Sequence, residues 1–174
     1  MLRKFRRDTS GIAATEFAML APVLAAMFLG SVEVCDALNC SQKVTNMAST
    51  AADLTAQETN MTNAEVSNVF SAVSAVVYPY PTTSLQITLT SIVDNGKGGG
   101  TVQWSDAQNA TARTVGSTVT VPSGVLTTGG TVILAEVSYP YSSPVSDYIT
   151  GTQTITQVFY ERPRRTGAIT RSAT

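Results

Sequence analysis

The chain has 174 residues, room for one modest hydrophobic core and an appendage but not for two full-sized domains. Eleven Lys and Arg against twelve Asp and Glu leave a formal net charge of −1, which predicts no global pull toward nucleic acid, and the lack of any histidine removes histidine triads, histidine metal sites and histidine general bases. A hydrophobic share of 43% with only 13% charged residues, rich in Thr, Ser, Ala and Val, suits an extracytoplasmic β-rich surface better than a cytosolic enzyme.

The hydrophobic content is concentrated at the N-terminal end. Arg3, Lys4, Arg6 and Arg7 precede Asp8, and residues 12–34 then contain Glu16 and Glu33 as their only charged members. At about 1.5 Å per residue this run covers roughly 35 Å, enough to cross a hydrocarbon core of about 30 Å. Lys and Arg stay on the cytoplasmic side of a span, so the expected orientation is N-terminus inside and the remainder outside. A cleaved secretory signal competes with this reading, but Gly30-Ser31-Val32-Glu33-Val34-Cys35 offers no small-x-small cleavage pair.

Glu16 stands just before the apolar Phe17-Ala18-Met19-Leu20. An ionised side chain at mid-span costs roughly 2.5–3.5 kcal/mol, and less near the interface. One reading is an interfacial acid favoured by the positive end of the helix dipole. The other starts from Gly11, four intervening residues, then Glu16-Phe17 behind a short basic leader, a pattern that resembles the processing motif of type IV pilin-like proteins. More narrowly, Arg7-Asp8-x-x-Gly11-x-x-Ala14-x-Glu16-Phe17-Ala18-x-x-Ala21-Pro22 resembles the N-terminal signature of the TadE-like family, minor pseudopilins of the tight-adherence (Flp-type) pilus system. Val102-Gln103-Trp104-Ser105, Ala135-Glu136-Val137-Ser138-Tyr139 and Phe159-Tyr160-Glu161-Arg162-Pro163-Arg164 are similar to segments of such proteins.

That resemblance implies a bond broken by a prepilin peptidase between Gly11 and Ile12. The new α-amine, with a reference pKa near 7.7–8.0, would be a partner for Glu16 of its own or a neighbouring subunit. Gly11 and Ile12 are thus the expected processing residues, and Glu16, Phe17 and Pro22 the expected assembly residues. Pro22, inside the span, removes one backbone hydrogen bond and is expected to kink the helix. The implied partners are the prepilin peptidase, the major pilin, companion pseudopilins, the inner-membrane platform of the pilus machine and the lipid bilayer. The implied location is the bacterial inner membrane, N-terminus cytoplasmic and C-terminal domain periplasmic, with entry into the pilus left open. The alternative function is an uncleaved single-pass anchor that displays an extracytoplasmic binding or adhesive β domain.

Beyond the span the helical period continues. Ala37, Cys40, Val44, Met47, Ala51 and Leu54 recur at 3-4-3-4-3 spacing, an apolar stripe that predicts one helix through residues 35–57, packed on its own globular portion or on another subunit. Cys35 and Cys40 lie five apart on that helix, at least about 7.5 Å of rise, too far for an ordinary disulfide; they read as packing residues or as an intersubunit pair, and with no further Cys or His they complete no zinc site. Thr62-Asn63-Ala64-Glu65 has capping-box form and opens a second amphipathic helix through Val66, Val69, Phe70, Val73 and Val77, ending before Pro79.

Past Pro81 the period becomes two. Residues 85–89 and 101–104 flank Asp94-Asn95-Gly96 and predict a hairpin. Gly98-Gly99-Gly100 beside Lys97 lacks the order of a phosphate-binding loop and reads as a flexible tip. Residues 107–130 form a long connection with room for a short strand at 117–121, and 131–139 and 152–160 are two further strands. The C-terminal arginines Arg162, Arg164, Arg165 and Arg171 read as a solvated tail or as a basic contact with a partner subunit or with anionic envelope surface. No nucleophile has an identifiable base, because Lys43 and Lys97 sit in polar, exposed segments. No catalytic, cofactor-binding or metal residue is expected. The predicted architecture is α+β: a leader at 1–11, a transmembrane helix at 12–34, its extracytoplasmic continuation at 35–57, and a pilin-like domain at 62–174 with a second helix and a four-stranded antiparallel sheet.

Overall fold

The computed structural model describes residues 10–143 and 151–173; the basic leader residues Arg3 to Asp8, and Pro144, lie outside them. Helix α1, Ser10–Gln57, runs for 48 residues without interruption, Pro22 included, or about 72 Å at 1.5 Å per residue. It ends where the stripe predicts. Cys40, Val44, Met47 and Ala51 are fully buried, with Ala37 and Leu54 packed at the margin. Ala48, Ala52 and Ala56 are buried too, and these methyl-sized side chains let the sheet approach the helix closely. The outer half of α1 is therefore one wall of the domain core.

Strand β1, Asn60–Met61, leads into α2, Asn63–Val76. Both halves of the expected capping box form: Glu65 N donates to Thr62 Oγ1 at 3.3 Å, and Thr62 N donates to Glu65 Oε2 at 2.6 Å. The hydrogen bond from the Thr62 backbone holds the Glu65 carboxyl below its ordinary value of 4.5. A depressed carboxyl stabilises the fold above its unfolded pKa, and that contribution disappears as pH falls through the lowered folded value. Thr62→Ala is expected to cost about 1 kcal/mol at neutral pH in urea titrations, since it strips one of the first-turn N–H groups of its acceptor.

The sheet has strands β2 (Gln86–Asp94), β3 (Gly100–Gln108), β4 (Thr118–Val119), β5 (Thr131–Tyr141) and β6 (Gln153–Glu161), in the order β4-β3-β2-β5-β6 and antiparallel throughout. It has five strands where four were expected, because the short segment inside the long connection pairs as Gly100↔Val119 and Thr101↔Thr118. Strand β5 also runs through Pro140, which lies past Ser138, the last β5 residue partnered by β2, where one side of the strand has no ladder to interrupt. Asn95 Oδ1 accepts from Lys97 N at 2.8 Å and Gly99 N at 3.1 Å, and Gly96 and Gly98 take φ of 68° and 82°, so the glycine-rich segment is a hairpin tip built on left-handed backbone.

Ile87, Leu89, Trp104, Ile133, Ala135, Val137, Tyr139 and Tyr141 face the two helices and form the main core. A bulge in β3 sets Ser91 opposite Trp104 but Ile92 opposite Val102, skipping Gln103. The skipped residue turns Val102 to the opposite face, where it joins Ile92, Val119, Val121, Val132 and Leu134 in a second small core beneath the long connection. On that outer face Arg113 makes a bidentate pair with Glu136 at 2.7 Å, tying the connection to β5.

The C-terminal arginines correct the expectation of a solvated tail. Strand β7, Thr170–Arg171, pairs in parallel with β1. Arg171 donates to both carboxylate oxygens of Asp106 at 2.8 and 3.0 Å and to Asn63 Oδ1 at 2.7 Å. Ile169 is buried, and its carbonyl accepts from Trp104 Nε1 at 2.7 Å. Arg164 N donates to Ala56 O at 2.9 Å and its guanidinium pairs with Asp53 at 2.5 Å. The last residues form a strap that closes the domain over the end of α1. Arg165 remains exposed.

Candidate assembly helix and its junction with the domain

The expected processing and assembly residues all lie on the first half of α1. Gly11 and Ile12 stand in its first turn, followed by Glu16, Phe17 and Pro22. All but Pro22 belong to a fully exposed run at residues 11–20, and Pro22 is exposed as well. Thr15 Oγ1 donates to Ile12 O at 2.7 Å, tying the side chain back to the first turn. Among the described residues, none outside α1 buries this segment or brings its residues together with others.

Two features of the half-helix bear on its use. Its apolar residues lie on every side: Phe17 is 66% exposed, Met19 80% and Val32 48%, with Leu20, Val23, Leu24, Met27, Phe28 and Leu29 between them. It contains an 18-residue window of mean hydropathy 1.9, none of it buried within the chain. A helix apolar all round, rather than along one stripe, is suited to lipid or to a bundle of like helices. The second feature is Gly11. A Cβ built there meets nothing within 4 Å, so the described residues leave room for a side chain at this first-turn position. Packing among the described residues gives no reason for glycine there.

The sequence reading missed the junction. Glu33, counted there only as a charged member of the span, accepts a hydrogen bond from Tyr141 Oη at 3.2 Å and a shorter one from Ser143 Oγ. Tyr80 Oη donates to Asp36 O at 3.2 Å, and the Tyr80 ring packs on Tyr139 and Tyr141 with centroids 6.0 and 6.3 Å apart. Burial, reinforced by the Glu33 charge, pushes the Tyr141 phenol up to about 12, so it remains a donor at any physiological pH. The only signal in the sequence was a second acid at the end of an apolar run.

This geometry divides α1 into a bare, all-round apolar half and a half built into the domain, with Glu33 at the division. Residues 11–53 match the family model described as TadE-like protein. That stretch of α1 is similar to the TadE-like family. No curated protein and no solved structure matches the chain. The TadE-like match spans both halves of the helix and ends four residues before Gln57, so the similar segments quoted from the β domain stand outside it. The TadE-like family points to the tight-adherence pilus, and the bare half of the helix fits a single-pass membrane anchor.

Both cysteines are free; Cys35 is exposed and Cys40 buried. Cys40 is thus a packing residue, its thiol pushed up by burial and then by Asp36. Among the described residues no group of three or more His, Cys, Asp or Glu is placed to hold a metal ion.

Proposed function

We propose that the chain is a minor pseudopilin of a tight-adherence pilus, held in the bacterial inner membrane by the first half of α1, with its N-terminus cytoplasmic and its domain periplasmic. It acts as a structural subunit without catalysis. The supporting observation is the TadE-like match across a helix whose first half has no partner among the described residues while its second half is a wall of the domain. An anchor of that build presents the same apolar surface to lipid before assembly and to neighbouring subunits' helices after it. Glu16 is the one charged side chain between Gly11 and Val32, and an α-amine freed at Ile12 would neutralise it at the moment of packing.

Processing is the step that separates this from a plain anchor. A first helical turn has no complete set of intrahelical hydrogen bonds, so opening it for a peptidase costs little, and a glycine that no internal contact requires suits close approach by the enzyme. Intact-mass measurement of the membrane form, produced with and without a prepilin peptidase, tests the reading. A mature chain beginning at Ile12 only when the peptidase is present, and lost in Gly11→Val, is the expected result. An unprocessed chain in the presence of active peptidase would instead favour the uncleaved anchor displaying its β domain.

A further inference from the structure

The end of the domain nearest the bare half of α1 is chemically unlike its far end. The all-round apolar stretch of residues 12–32 measures about 31 Å, one hydrocarbon core, which places Glu33 at the core's edge and Asp36 about 5 Å beyond it. The headgroup layer on each side of a bilayer is about 5–8 Å deep. Through the hydrogen bonds to Glu33 and to Asp36 O, Tyr141 and Tyr80 lie at that level, and the turn between α2 and β2 lies there with them. Asn109 Nδ2 donates to Leu85 O at 2.9 Å and brings the end of β3 to the same place.

Among the described residues this end carries almost no charge. Residues 66–93 contain no Asp, Glu, Lys or Arg, and neither do residues 107–112. Among the described residues the acids at this level are Glu33, satisfied by Tyr141 and Ser143, and Asp36. Charged side chains gather instead at the opposite end, with Asp94 and Lys97 at the hairpin tip and Asp53, Glu161, Arg162 and Arg164 beside it. Covering the near end with lipid therefore desolvates few charges, whereas covering the far end would desolvate many. At the near end Tyr78 is 79% exposed, the most exposed large hydrophobic outside α1 among the described residues; buried Val77 precedes it, and exposed Pro79 and half-buried Tyr80 follow. An aromatic ring with a polar tip suits headgroup depth, where one end meets the apolar core and the other meets water.

We propose that this end of the domain is a second membrane contact, in which the uncharged turn at residues 77–84 rests in the headgroup layer of the bilayer that α1 crosses, with Tyr78 as its anchor. The contact rests on the membrane-anchor reading of α1. It is continuous with the apolar surface of the span, and no cation stands at this level among the described residues, so it requires no anionic lipid. The partner is the lipid headgroup region itself. Held at two places, the domain sits at a set depth and tilt rather than swinging on a single helix.

The test is depth-dependent fluorescence quenching of the full chain in phosphatidylcholine vesicles containing lipids brominated either close to the headgroup or close to the chain ends. Tyr78→Trp is compared with Phe28→Trp in the span, each read as a difference from the parent chain to remove the emission of the buried Trp104. The proposal expects the Tyr78→Trp emission to fall about twofold with headgroup-proximal bromines and little with deep ones, unchanged by added salt or by phosphatidylglycerol. Phe28→Trp should be quenched by the deep bromines. Quenching of Phe28→Trp without quenching of Tyr78→Trp overturns the second contact and leaves the anchor standing. Absence of quenching in both overturns the anchor and the contact together.

Discussion

Replacing Arg171 by alanine is expected to destabilise the protein by about 2–3 kcal/mol, as removal of a bidentate, charge-assisted pair should. The Arg171 and Asp106 side chains are only 22% and 21% exposed, so water compensates poorly for the lost partner. The substitution also strips Asn63 and the carbonyl of Met61 of a donor, loosening the β1–β7 pair that joins the chain's last residues to the start of α2. At roughly 2–4 °C per kcal/mol for a protein of this size, the midpoint should drop by about 5–10 °C. Asp106→Ala should cost a similar amount, and the double variant less than the sum of the two, because they remove one interaction. A change in Arg171→Ala within about 0.5 kcal/mol, the range of ordinary surface substitutions, would mean that the C-terminal segment is a tail after all. By contrast, the Arg164–Asp53 pair is about half exposed on both sides and contributes at most about 1 kcal/mol.

The other large effect is expected at Glu16. Glu16→Ala should leave membrane insertion intact or improve it, because it removes an acid from an apolar helix. Capture of companion pilus subunits should nonetheless fall at least about tenfold, the equivalent of 1.4 kcal/mol, since in the proposed assembly the α-amine at Ile12 would lose its carboxylate. The fold cannot mask this result, because the Glu16 side chain is exposed and far from the domain core. Unchanged capture would reduce Glu16 to an interfacial acid. The same comparison in a Gly11→Val background should show no further loss, because without processing there is no α-amine for the carboxylate to meet.

Local periodicity made most of the architecture legible. The 3-4 spacing from Ala37 to Leu54 marked the buried face of α1, and the Thr62–Glu65 pair marked the start of α2, because both signals are confined to a few neighbouring residues. Alternation located β2, β3, β5 and β6 within a few residues. Pairings between distant residues were not legible. Strands β1 and β7 have two residues each, too short for any period, and exist because a partner strand was already in place; β4 is as short and falls within residues 117–121, where the sequence left room for a strand. Arg171 finds Asp106 across 65 positions, and Tyr141 finds Glu33 across 108; one looked like part of a basic tail and the other like part of the connection between two strands. On the candidate site, Gly11, Ile12, Glu16, Phe17 and Pro22 were legible as a linear motif, since the features that single them out are their order and spacing rather than any contact in the fold. The junction at Glu33 was not, because its meaning depends on which part of the domain comes down to meet it.

The division of α1 at Glu33 can be measured directly. Membranes carrying the native chain, washed in alkaline carbonate and then digested with protease from the domain side, should retain the chain through the wash. After digestion they should yield a protected helix fragment whose C-terminal boundary falls close to Glu33. Release of the intact chain by carbonate, or a protected fragment extending through Met47 and Ala51, would contradict an anchor whose first half lies in lipid and whose second half belongs to the domain.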